Sequence, residues 1–184
     1  MTQATQPTSP ALLRWLDTLA EVTGRSTAWL TLAMVIIACV VVLLRKLFDI
    51  GSIALQESVT YMHAMVFMLG TAFTLKRGGH VRVDIFYCRF SPRARAWVDA
   101  LGSLVLTLPL MIFIGWCSWD YVLDSWRIRE GSADSGGLST IYLLKSLLPL
   151  MALSVSLQAI AELLRNLLTL MQPDTHAATL KEQN

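Results

Sequence analysis

Residues 76–84, Lys-Arg-Gly-Gly-His-Val-Arg-Val-Asp, open a loop between two long apolar segments. From Lys76 to Arg95 the loop carries six cationic side chains, and only Asp84 within it and Asp99 beyond it are acidic. Basic residues beside membrane spans stay on the cytoplasmic side. The loop therefore predicts the orientation of the whole molecule, and the Gly78-Gly79 pair within it lets the backbone turn sharply.

Bulk composition points to an integral membrane protein. Of the 184 residues, 54% are hydrophobic and 15% are charged, and the mean hydropathy is positive. The net charge of +2 is small and the cations lie between apolar runs, which argues against binding to nucleic acid. Three cysteines, at positions 39, 88 and 117, predict no disulfide framework.

Four apolar segments are long enough to cross a bilayer. They run roughly from Ser26 to Leu44, Val59 to Leu75, Trp97 to Tyr121 and Thr140 to Leu170. The second is short, so we expect its helix to begin near Ser52 and to carry Glu57 at the outer boundary. Ser91-Pro92 predicts the start of the third helix, and Pro109 predicts a kink within it. The fold class is all-α.

A stripe of apolar side chains at helical spacing precedes the first span: Leu12, Trp15, Leu16, Leu19 and Val22. It predicts a short amphipathic helix in the cytoplasmic interface, or equally an extension of the first span. We divide the chain into a cytoplasmic tail with the interfacial helix (1–25), a four-helix membrane domain (26–171) and a disordered cytoplasmic tail (172–184).

The charge distribution predicts that both termini are cytoplasmic. Four crossings place the two termini on one side, and the basic loop lies on that same side. This arrangement puts ten of the fifteen Lys and Arg residues inside, which agrees with the excess expected of inner loops.

No enzyme motif, cofactor site or metal site is evident, so we predict a protein that is not an enzyme. A haem held within the bundle would need two axial ligands at similar depth, and of His63, His80 and His176 only His63 qualifies. His63 could instead pair with a polar group on a partner helix. A hydrogen-bonded histidine near the outer interface is the plainer interpretation.

The fourth span carries polar and small residues suited to helix packing. Gln158 and Glu162 lie four apart, with Ala152, Ser154 and Ser156 nearby, a pattern typical of close contacts and interhelical hydrogen bonds. Coupled transporters usually place broken helices and several polar ligands at mid-membrane, and this chain has almost none. We therefore expect a scaffold that packs against a larger membrane protein.

Several motifs carry a resemblance to a known family. They are Gln56-Glu57, Tyr61-Met62-His63, residues 76–87, Ser125-Trp126-Arg127, Glu130, residues 136–138, residues 142–149 and residues 158–165. Over about residues 30 to 168 the chain resembles the small membrane subunit of tripartite ATP-independent periplasmic (TRAP) transporters. The sequence of these motifs is most similar to the branch of the family named for mannitol and chloroaromatic compounds.

The resemblance implies a multi-pass, non-catalytic subunit of a sodium-coupled organic acid importer in the bacterial inner membrane. In that family a soluble periplasmic binding protein captures the substrate, and a large multi-span permease subunit carries the sodium sites. The large subunit moves the substrate by an elevator-like motion, while the small subunit packs against its static scaffold and the surrounding lipids. No catalytic or substrate-binding residue carries over to this chain.

Nine residues are candidates for structural or interface roles: Glu57, His63, Gly79, His80, Arg82, Asp84, Gly137, Lys145 and Gln158. Two other functions remain open from the residues alone. One is a membrane anchor for a redox enzyme, with His63 as a haem ligand. The other is a small exporter that works by itself as a homo-oligomer.

Overall fold

A computed structural model describes residues 11–77 and 90–171, and these residues are helical apart from short connections. The helices are α1 (Ala11–Phe48), α2 (Ile53–Lys76), α3 (Pro92–Gly102), a π-helical turn (Ser103–Thr107), α4 (Leu108–Ile128) and α5 (Ile141–Met171). The described residues contain no strand. The all-α prediction is confirmed for this part of the chain.

In the part of the chain that the structure describes, four helical segments are long and apolar enough to cross a membrane, as predicted. They are Leu13–Phe48, Ile53–Lys76, Arg93–Ile128 and Ile141–Met171. The third combines α3, the π-helical turn and α4, which follow one another without a loop. Ser52 and Ser91 cap α2 and α3 by accepting the N–H groups of Leu55 at 3.4 Å and Ala94 at 3.3 Å, so both predicted helix starts are confirmed.

α1 is one continuous helix of 38 residues, so the predicted short interfacial helix is not a separate element. The sequence between positions 11 and 48 contains no proline and only one glycine, Gly24, and nothing in it ends the helix. At 1.5 Å per residue α1 is about 57 Å long, well beyond the ~30 Å hydrocarbon core. The amphipathic stretch therefore extends the first span, as the alternative interpretation had it.

A π-helical turn, Ser103–Thr107, lies just before Pro109, where the sequence predicts a kink; the kink itself stays a prediction. Proline has no N–H to donate and its ring clashes with the carbonyl four residues earlier. The helix widens there, and the Leu108 N–H donates to the carbonyl of Ser103, five residues back. Pro149 by contrast lies inside α5 without ending it.

α5 lies at the centre of the bundle and packs against every other helix, while α1 also packs along α2. Small side chains on α5 allow the close approach, and Ala152, Ala159 and Ala161 are buried. One buried cluster joins α2 to α5 through Ala72, Leu75, Val155 and Ala159. Another joins the start of α1 to α5 through Leu13, Leu16 and Ala161. Trp15, Leu19 and Val22, predicted on the same stripe as Leu16, are exposed instead.

Candidate functional site

Five of the nine candidate residues lie within the described residues: Glu57, His63, Gly137, Lys145 and Gln158. The other four, Gly79, His80, Arg82 and Asp84, lie outside them. The structure brings Glu57, Gly137 and Lys145 to one end of the bundle, around residues 129–140. We call this end the loop side, and the opposite end, where α1 begins and α5 ends, the termini side.

Glu57, in the first turns of α2, is held by the loop between α4 and α5. Its carboxylate accepts the backbone N–H of Leu138 at 2.5 Å and the hydroxyl of Ser132. The loop fixes itself through the Ser132 N–H, which donates to the Leu138 carbonyl at 2.9 Å, and the Gly137 N–H, which donates to the Asp134 carbonyl at 3.0 Å. The carboxylate therefore fastens the start of α2 to a pre-formed loop, because a charged acceptor strengthens both bonds.

Gly137 leaves room for that carboxylate. A Cβ atom at this position would lie 2.7 Å from Glu57 Oε1 and 2.5 Å from Ser132 Cβ, closer than real contacts allow. Its neighbour Gly136 has a φ of +85°, in the region that favours glycine. Each glycine of the pair thus meets a separate backbone requirement of the loop.

Lys145 and Glu130 form the second contact on the loop side. The Lys145 ammonium touches the Glu130 carboxylate and lies 4.0 Å from the centroid of the Tyr121 ring, a cation–π contact. The Lys145 side chain is only 14% exposed. Its hydrogen bond holds the pKa of the Glu130 carboxyl below its ordinary value, so this acid is ionised at neutral pH.

Trp126 adds an uncharged contact between α4 and α5. Its indole N–H donates to Ser146 Oγ at 2.8 Å, and its ring meets Tyr142 edge-on at 4.7 Å between centroids. The neighbouring aromatic residues Trp116, Trp119 and Tyr121 are exposed on the bundle surface. This placement fits the aromatic belt typical of a membrane interface.

The termini side is fastened by side-chain ion pairs, which we call the termini cluster: Asp17, Glu21, Lys76, Arg77 and Arg165. Glu21 pairs with Lys76 at 3.0 Å and Arg77 at 2.8 Å. Asp17 pairs with Arg165 at 2.8 Å, and its carbonyl accepts from Lys76 at 2.8 Å. The cluster therefore ties α1 to the ends of both α2 and α5.

Sequence reasoning missed the termini cluster, although Lys76 and Arg77 were recognised as orienting cations. Their acidic partner is more than fifty positions away, and nothing local indicates the pairing. The available signal was that Asp17 and Glu21 lie four apart and therefore share one face of the helix. Two acids so placed indicate a basic partner across the bundle.

His63 and Gln158 do not join either group. His63 is exposed on α2 and stacks on Phe67, with 6.4 Å between ring centroids. It makes no hydrogen bond to any of the described residues, so the predicted hydrogen-bonded histidine is not found there. Gln158 is 2% exposed, and its amide nitrogen has no acceptor among those residues. It lines a cavity of about 170 Å³ that otherwise has mainly apolar walls between α1 and α5.

The serines near Gln158 bond within their own helix. Ser154 donates to the Met151 carbonyl at 3.0 Å and Ser156 to the Ala152 carbonyl at 2.7 Å. Within residues 11–77 and 90–171 neither serine makes the predicted interhelical hydrogen bond, because the nearer carbonyls satisfy the hydroxyls first. Their small size still permits close packing.

The contacts described above fasten helices to one another. The described ion pairs lie near the ends of the helices, and their acids are already bound by cations or by loop donors. Within residues 11–77 and 90–171, no three His, Cys, Asp or Glu side chains are grouped to hold a metal ion. This arrangement is suited to holding the helices in fixed positions relative to one another.

Comparison with known proteins identifies a family. The family model described as "Tripartite ATP-independent periplasmic transporters, DctQ component" matches residues 34–169. No match was found among curated proteins or among solved structures. The matched stretch contains the Glu57 and Lys145 contacts of the loop side, whereas Asp17 and Glu21 precede it.

Proposed function

The chain belongs to the DctQ component family of tripartite ATP-independent periplasmic transporters. We propose that it is a non-catalytic subunit that stabilises the large subunit of such a transporter in the membrane. Membership makes it the small permease subunit of such a transporter, with several membrane-spanning helices. We further propose that the transporter is a sodium-coupled importer of an organic acid-like solute in the bacterial inner membrane. The residues of the motifs favour the branch of the family named for mannitol and chloroaromatic compounds.

The family match over residues 34–169 is the observation that carries this proposal. The placement of charge supports it physically, because coupled transporters bind their ions and substrates with several polar groups at mid-membrane. In this chain the described ion pairs lie near the ends of the helices. We propose that sodium binding and substrate movement belong to the large subunit, which this chain stabilises by packing against its scaffold.

The proposed partners are the large multi-span permease subunit, the periplasmic binding protein and membrane lipids. The binding protein would act through the assembled complex. Affinity purification of the tagged chain from membranes that co-express the large subunit tests the first partner. We expect a stable complex without haem absorbance. Recovery of the chain alone, or a Soret band in the purified protein, would contradict the proposal.

We also propose that both termini are cytoplasmic. Lys76 and Arg77 lie on the termini side, and positive charge beside membrane spans stays inside. Cysteine labelling of Cys88, with Cys39 and Cys117 replaced by alanine, tests the orientation. We expect protection from impermeant reagents in intact cells. We also expect Cys88 to become labelled when the six basic residues between positions 76 and 95 are neutralised. Continued protection would show that these residues do not determine the orientation.

A further inference from the structure

His63 lies at a depth where the described residues give it no hydrogen bond. From Glu57, held by the loop, to Lys76, in the termini cluster, α2 rises roughly 28 Å, close to the ~30 Å thickness of the hydrocarbon core. His63 is six positions beyond Glu57 and therefore about 9 Å further into the membrane. Its side chain is exposed, and its recorded contact among the described residues is the stacking on Phe67.

An imidazole in that position needs a partner from outside the chain. Titratable side chains within membrane spans rarely face lipid, because hydrocarbon offers no hydrogen bond to their nitrogen atoms. The binding protein of a tripartite transporter is soluble and cannot reach this depth. The large subunit is the proposed protein partner that spans the bilayer.

The same face of the molecule offers space for a helix. A groove of about 750 Å³ runs between α1 and α2, with Phe67 on its wall. Its lining also includes the small residues Thr31, Gly70, Thr71 and Thr74, whereas Gly24 and Thr27 are buried and the Phe73 ring packs on Gly24. The four threonine hydroxyls already donate to carbonyls of their own helices at 2.7–3.2 Å. The groove can therefore accept an apolar helix without leaving these hydroxyls unbonded.

We propose that the α1–α2 face, which comprises His63, Phe67 and this groove, is the docking surface for one transmembrane helix of the large subunit. That helix lays small side chains along the groove and places a carboxylate, carboxamide or hydroxyl opposite His63. This inference rests on the proposed function and specifies which face of the chain meets the partner. The aromatic face of α4 is left toward lipid.

Photo-crosslinking tests the proposed surface with a matched control. A benzoylphenylalanine replaces Phe67, 71% exposed, or Phe113 on α4, 64% exposed, in the chain co-expressed with the large subunit. We expect at least a fivefold higher yield of the adduct between the two subunits at position 67. Equal or greater yield at position 113 would overturn the proposal. An adduct of two copies of this chain, or of lipid alone, at position 67 would do the same.

Co-purification separates failure of this surface from failure of the proposed function. If the large subunit is recovered with the unmodified chain but position 67 does not cross-link to it, the docking surface is wrong and the function stands. If the large subunit is not recovered with the unmodified chain, the proposed function itself fails.

His63 is tested by the affinity of the purified subunits for each other. His63→Leu removes the hydrogen bond, and we expect about a threefold weaker complex, the usual size of one such bond between membrane helices. His63→Gln keeps a donor and an acceptor and should recover most of the affinity. Phe113→Leu is the control and should leave the affinity unchanged. Equal affinity of the wild-type chain and His63→Leu would overturn the pairing.

Discussion

The two sides of the bundle are fastened by contacts of different kinds. On the loop side, Glu57 accepts a backbone N–H and a hydroxyl from a loop whose shape requires Gly137. On the termini side, flexible charged side chains pair with one another, and several are partly exposed. Backbone shape tolerates little change, whereas exposed ion pairs contribute modestly and are screened by salt. We therefore expect the loop side to be more sensitive to mutation.

Gly137→Ala should have the largest effect. The added Cβ would overlap Glu57 Oε1 and Ser132 Cβ, so the loop must move and release α2. We expect the free energy of unfolding in detergent to fall by about 1–3 kcal/mol, the usual cost of overpacking. Thermal unfolding measures it. Gly51→Ala is the control, because a Cβ there meets nothing within 4 Å, and an equal loss in both variants would remove the contrast.

Lys145→Met should come next. It removes the cation that pairs with Glu130 and contacts Tyr121, and it leaves a partly buried carboxylate without its partner. We expect a lower melting temperature, with a smaller shift than for Gly137→Ala. Arg127→Met breaks the exposed pair with Asp124 and provides the control. If both variants melt alike, the Lys145 contact contributes no more than a surface pair.

Melting temperatures measured over a series of pH values test how much the ionised Glu130 carboxylate stabilises the protein. Because Lys145 holds the pKa of this carboxyl below its ordinary value, the ionised form stabilises the folded state. That contribution is complete above the ordinary pKa of about 4.3 and is lost as the pH falls through the lowered value. The Glu130→Gln variant should therefore have a lower melting temperature than the wild type at pH 7, and the two melting temperatures should converge at acidic pH. A constant difference across the series would contradict the assigned cause.

The termini cluster should show the smallest effect and can be rescued by exchange. Asp17→Arg places like charges beside Arg165 and should lower the melting temperature slightly, and more so at low salt. Adding Arg165→Asp restores an opposite pair and should recover most of the loss. Failure of the double variant to recover would show that the cluster requires fixed geometry, which would erase the difference between the two sides.

Local sequence signals predicted the helices well, because spans and caps depend on nearby residues. Ser52 and Ser91 cap helices where expected. A separate interfacial helix is not shown, since no breaker interrupts α1 and Leu13 and Leu16 pack on α5. The orientation and the roles of residues 79–84 remain predictions.

The candidate contacts were predicted only as positions. Glu57, Gly137 and Lys145 were singled out by resemblance, and the structure brings all three to the loop side. Their partners could not be deduced, since Glu57 and Leu138 are 81 positions apart and meet only in the folded bundle. Asp17 and Arg165 are 148 positions apart and were missed for the same reason.

Solute uptake by reconstituted vesicles tests the central claim most directly. Vesicles carrying this chain alone, or this chain with the large subunit, are given a sodium gradient, the binding protein and a panel of organic acids. The account predicts accumulation only when the large subunit is present. Accumulation by vesicles that contain this chain alone would contradict it.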